Sequence, residues 1–256
     1  MTWLGVWLVG VGLADLVRAS PRPAAGRWAP ALGVAAMLVT GAAAGLLGAV
    51  DLVVAVGAAL ALVLWVRWSQ EALGSGRGHA AALCSLAAGA AWLVALSGWA
   101  SAPGGVLGRW LAWAQLPAAA AGADPGRVLL VTGLVLANLA TGNVIVRLVL
   151  VSIGALRPAR PTLPVGGPEP AEQLRGGRLL GPMERVLVLG LGLAGQLTAA
   201  GLVIAAKGLI RFPELQATRS ERESVDGLGI DAVTEYFLVG SFVSWLVALA
   251  SLALSR

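Results

Sequence analysis

The sequence predicts an all-α protein, a polytopic transmembrane helix bundle of about seven spans. Three observations carry that expectation. Of 256 residues, 58% are hydrophobic and 12% charged, with mean hydropathy +0.83, whereas soluble domains carry about twice that charged fraction. The apolar residues fall in runs long enough to cross a hydrocarbon core about 30 Å thick, which takes about 20 residues of helix. The basic residues sit in short loops between those runs, so the net charge of +5 reads as a topology signal, not as a nucleic-acid surface.

The expected spans, in order, are 2–17, 29–47, 50–67, 80–100, 128–147, 186–206 and 232–254. The first opens on Met1-Thr2-Trp3-Leu4 without the positive region of a secretory signal, and Arg18, Arg22 and Arg27 follow it. That asymmetry predicts a retained helix with its amino end outside. Spans two and three are nearly continuous, so a tight turn near Gly48–Asp51 is expected, with Asp51 solvated in it. The fourth contains Cys84, the single cysteine, expected as an inert buried thiol. Residues 104–121 carry Arg109, Trp110 and Trp113 and are expected as an interfacial or re-entrant segment, because tryptophans favour the headgroup level and a central arginine is costly. This arrangement puts 12 basic residues on the cytoplasmic side and 6 outside, with the carboxyl end cytoplasmic.

The chain divides by composition into a five-span part (1–156), a Pro/Gly-rich cytoplasmic linker (157–182) and a two-span carboxyl-terminal hairpin (183–256). The linker contains P-x-x-P spacings but reads as a solvated, partly extended tether. In the hairpin, the loop 207–231 mixes Lys207, Arg211, Arg219 and Arg222 with Glu214, Glu221, Glu223, Asp226 and Asp231. Pro213 is expected to start a short helix there.

Gly190-Leu191-Gly192-Leu193-Ala194-Gly195 matches G-x-G-x-x-G in letters. The dinucleotide fingerprint also needs a second strand ending in an acidic residue, and here the apolar run continues to Lys207. Helix packing through Gly190 and its neighbours is the better reading. Gly41 and Gly45 form a G-x-x-x-G pair, and Gly240, Ser244 and Ala248 continue the small-residue pattern in the last span. These faces suit internal packing or a homodimer seam.

Polar residues within spans are the candidate network, since lipid makes them costly. Asp15 is spaced to pair with Arg18. Asn143 and Arg147 share a face near a span end, with Asn138 and Thr141 deeper. At the carboxyl-terminal hairpin, Lys207 and Arg211 precede Glu235 and Tyr236. A Glu235 carboxylate entering the membrane needs a cation, and Lys207 or Arg211 is the expected partner. On that reading, Glu235→Gln lowers thermal stability.

The order Gly181-Pro182-Met183-Glu184-Arg185, then Ala205-Ala206-Lys207, Arg211-Phe212, Glu214, Glu235-Tyr236, Gly240 and Ser244 resembles a group of uncharacterised bacterial polytopic membrane proteins. The resemblance covers about the last 75 residues. It implies a multi-pass protein of the bacterial cytoplasmic (inner) membrane and stresses Lys207, Arg211 and Glu235, without implying an activity. That group opens on a His-Leu-Leu-x-Asp-Phe-like motif; Gly12-Leu13-Ala14-Asp15-Leu16 keeps the aspartate and lacks the histidine.

His79 is the only histidine, which removes multi-histidine metal sites, and no Walker loop is present. No cofactor, metal, catalytic residue or nucleic-acid partner is expected. Three readings of function follow. One is an accessory or structural component assembling with other membrane proteins. The others are a transporter or binding protein for a small molecule, ion or lipid, and an intramembrane enzyme on a lipid substrate. Membrane lipids are the expected partners in all three.

Overall fold

A computed structural model describes residues 1–20, 25–114, 124–158, 177–222 and 230–255, with the side chains of 177–179, 210–222 and 230–234 outside that description. Among the described residues all regular structure is helical. The helices are α1 (Thr2–Arg18), α2 (Ala25–Ala43), α3 (Ala49–Ser75), α4 (His79–Ala95), α5 (Gly105–Trp113) and α6 (Pro125–Leu136). A π-turn (Ala137–Thr141) joins α6 to α7 (Gly142–Ser152), followed by α8 (Gly177–Leu193), α9 (Leu197–Arg222) and α10 (Ile230–Leu254). Among the described residues three helical stretches are long and apolar enough to cross a membrane: Ala49–Ser75, Pro125–Ser152 and Glu235–Leu254. The chain forms two compact units, Met1–Gln70 with Ala80–Thr141, and Glu71–His79 with Gly142–Leu254.

In the first unit α1 is the centre. It is apolar all round, and Thr2–Gly12, Ala14 and Asp15 are buried. Glycines let its neighbours approach at backbone distance. A Cβ on Gly10 would lie 2.7 Å from the Gly33 carbonyl oxygen, and one on Gly5 would lie 2.5 Å from the Leu130 nitrogen. Gly10 faces Gly33 and Trp3 faces Gly41, so α2 runs antiparallel to α1; Gly5 faces Leu130 and Gly12 faces Leu136, so α6 runs parallel to it.

The second span is shorter than expected. It ends at Ala43 in a Schellman motif, with Gly45 at φ +78, Gly45 N donating to Ala42 O and Leu46 N to Gly41 O. Gly45 therefore terminates the helix and does not extend the packing face of Gly41. The fourth stretch is helical only to Ala95, and Cys84 is exposed on it, not buried. Gly104 and Gly126 lie at the same end of the unit as Thr2 and Ala44: Gly104 N donates to Ala44 O at 2.8 Å, and Gly126 lies beside Thr2. The nine residues of α5 reach about 14 Å and bury no side chain; residues 115–121 of the expected interfacial segment lie outside the described residues.

In the second unit α7 and α10 run antiparallel, with Leu150 and Val151 packed against Tyr236 and Val239. Here the expected span 186–206 is corrected. Gly195 at φ +77 closes a second Schellman motif, Gln196 N donating to Leu191 O at 2.8 Å, and the chain reverses into α9. Val188 and Ala200 then face each other, with Ala248 of α10 beside them. The stretch is thus two antiparallel helices, and α9 continues through the expected loop to Arg222. Gly192 packs on Leu252, whereas Gly190, expected as a packing glycine, faces open space.

Candidate functional site

Among the described residues, the first unit holds buried polar contacts at two ends and the second holds one buried polar cluster. In the first, α1 and α3 run side by side in the same direction and exchange contacts. The Trp3 indole donates to Asp51 Oδ1 at 2.8 Å, and the Trp65 indole of α3 donates back to Asp15 Oδ2 at 3.1 Å. Asp51 also accepts from Gly48 N at 3.0 Å, from Ser101 Oγ at 2.5 Å and from Ser101 N at 3.3 Å. It sits at the third position of α3 and reaches back to the cap, one half of a capping box. The expected solvated turn residue is therefore a buried acceptor, 1% exposed, because four donors replace its water.

Asp15 and Arg18 form the pair expected from their spacing, at 2.7 Å. Arg18 also donates to Ser69 Oγ at 2.7 Å, its guanidinium lies 5.9 Å from the Trp65 ring centre, and Ser69 donates to Trp65 O at 2.6 Å. The π-turn brings two more polar residues inward. Asn138 is fully buried, donating to Leu134 O at 2.8 Å, and Thr141 is 2% exposed. Thr141 approaches the Asp15 carboxylate, but its hydroxyl makes no hydrogen bond of ordinary geometry.

In the second unit the hub is Glu184-Arg185, in the middle of α8. Glu184 pairs with Lys207 of α9 and accepts from the Trp245 indole of α10 at 2.7 Å. Lys207 lies 5.9 Å from the Trp245 ring centre. Arg185, 2% exposed, donates to Asn143 Oδ1 of α7 at 2.6 Å and to Ser244 Oγ of α10 at 2.9 Å. Gly142 makes room for it, since a Cβ there would lie 2.6 Å from Arg185 Nε. One charged dipeptide thus ties four helices together. At 1.5 Å per residue, Trp245 lies about 15 Å from Glu235 and about 14 Å from Leu254, the middle of that apolar stretch.

Of the two partners expected for Glu235, Lys207 and Arg211, Lys207 pairs instead with Glu184, and Glu235 is exposed. The cause is the reversal at Gly195, which brings Lys207 back level with Glu184 on the neighbouring helix. The side chains of Arg211 and Glu214 lie outside the described residues. Arg147 is exposed and Tyr236 half-buried; Gly240 makes ordinary contact with Leu150, and Ala248 is buried beside Val188. The sequence pattern contains Glu184 and Arg185 without giving them a partner, and Trp245, Trp3, Trp65 and Ser69 carried no expectation as site residues. One signal existed: an indole N–H inside an apolar helix needs an acceptor, and few acceptors are available there.

Among the described residues no group of three or more His, Cys, Asp or Glu gathers to hold a metal ion. Chemically, these polar sites are largely matched sets of donors and acceptors, suited to holding helices in register. No family model matches the chain, and no curated protein or solved structure does either.

Proposed function

We propose that this is a multi-pass membrane protein whose buried polar residues act as structural ties, and that it serves as an accessory component assembling with other membrane proteins. The observation that carries this reading is that the acids Asp15 and Glu184, one in each unit, are both occupied by partners within the fold. Asp15 is occupied by Arg18 and Trp65, and Glu184 by Lys207 and Trp245. A transport pathway requires such groups along an open, water-filled route. The proline-rich linker adds a tether suited to assembly.

The proposal includes the bacterial cytoplasmic membrane, in keeping with the resemblance carried by the carboxyl-terminal pattern. The amino end lies outside, for the reason given by Arg18, Arg22 and Arg27. The carboxyl end moves outside as well. Within the second unit α10 runs antiparallel to α7, so Leu254 lies level with the start of α7 and away from Ser152, and the sequence that follows Ser152 carries Arg157, Arg160 and Arg175. With 186–206 folded back on itself, the expected seven crossings become eight.

The deciding experiment is purification of the full chain in mild detergent, with identification of stoichiometric partners, alongside labelling of Thr141→Cys and Ser244→Cys in a Cys84→Ala background. Co-purifying membrane proteins and unreactive thiols are expected. A solitary protein whose two thiols react with an impermeant reagent overturns the proposal. That outcome favours a transporter or binding protein instead, the reading supported by charges in the middle of an apolar stretch.

A further inference from the structure

We propose that one end of the first unit is a binding site for the headgroup of an anionic phospholipid, built from two Arg-Trp dipeptides, Arg27-Trp28 and Arg67-Trp68. This inference rests on the reading that the chain crosses a membrane. Arg27 and Trp28 lie in the first turn of α2, and Arg67 and Trp68 lie near the carboxyl end of α3. The two helix ends are held together by Gln70 Nε2, which donates to Gly26 O at 3.2 Å. Arg67 precedes Gln70 by three residues and so shares its helix face.

Both arginines are exposed and make no ion pair or hydrogen bond among the described residues. Arg18, also in this unit, is already held by Asp15 and Ser69. Trp28 and Trp68 are 65% and 43% exposed, and tryptophan settles at the headgroup level of a bilayer. A guanidinium takes phosphate oxygens in bidentate fashion. Arg27 is also poorly placed for its own helix: it sits in the first turn of α2, which carries no acid, against the positive end of the helix dipole. An anion bound there is attracted by both arginines and by the dipole, and relieves that repulsion.

The test titrates the purified full chain, in neutral detergent, with phosphatidylglycerol bearing brominated acyl chains and follows quenching of tryptophan fluorescence. Brominated phosphatidylcholine and soluble glycerol phosphate are the comparison ligands. Saturable quenching by phosphatidylglycerol is expected, without matching affinity for either comparison. Arg27→Gln with Arg67→Gln should weaken it about 30-fold, about 2 kcal/mol at 1.4 kcal/mol per tenfold. Arg127→Gln, at the other end of the unit, should leave it unchanged. If the double variant does not fold, Arg67→Gln alone should weaken binding about five-fold. Equal affinity for phosphatidylcholine or glycerol phosphate, or equal loss in Arg127→Gln, overturns the proposal. A chain that stays monodisperse without detergent instead overturns the membrane reading beneath it.

Discussion

The Trp3 indole donates a 2.8 Å hydrogen bond to the carboxylate of Asp51, 48 residues away at the matching end of the neighbouring helix. Trp65 and Asp15 repeat the contact in the opposite sense, α3 donating and α1 accepting. Two parallel helices are thereby fixed in register at both ends. An apolar helix face alone leaves that register loose, because sliding by one turn exchanges one greasy contact for another. Trp3→Phe and Trp65→Phe keep the ring and remove the donor. Each should lower unfolding stability by about 1.5–3 kcal/mol, the worth of a hydrogen bond to a charged group. The sites are about 18 Å apart along α1, so the double variant should lose nearly the sum. Denaturation in micelles measures this; a loss far from additive would show that the two ties act as one.

At the second cluster, Lys207→Met strands the Glu184 carboxylate among apolar neighbours and should cost about 3–5 kcal/mol. Adding Glu184→Gln removes the stranded charge, and Gln still offers an oxygen to the Trp245 indole. The double variant should therefore be more stable than Lys207→Met alone. A double-mutant cycle on thermal unfolding checks the sign. Additive losses would mean that the pair contributes nothing jointly.

Glu235→Gln should leave stability unchanged. Glu235 is exposed and Lys207 belongs to Glu184, so the substitution removes no buried contact. A drop of more than about 1 kcal/mol, outside the usual range for surface substitutions, would restore the partnership expected from the sequence.

Glycine substitutions should separate close packing from helix composition. Gly5→Ala forces a methyl against the Leu130 backbone and should cost about 1–3 kcal/mol. Gly190→Ala meets no atom and replaces a helical glycine, so it should be neutral or stabilising by up to about 1 kcal/mol. Melting curves of the two purified variants give the comparison, and equal effects would refute the glycine-mediated approach of α1 and α6.

The sequence by itself determined that the chain is helical, with stretches long and apolar enough to cross a membrane, and that Asp15 would meet Arg18 three residues on. Those features are local: run length, composition, and the spacing of neighbours on one helix. Only the tertiary structure decided that Asp51 is buried, that Lys207 answers Glu184, and that α1 lies at the centre of its unit. Each depends on which helix stands beside which, and in what direction. Hydropathy is blind to direction, so the run 186–206 looks the same whether it crosses once or turns back at Gly195. The turn is made by a glycine whose neighbours are as apolar as the helices on either side, and its consequence, the pairing of charges 23 residues apart, appears only once the two helices lie against each other.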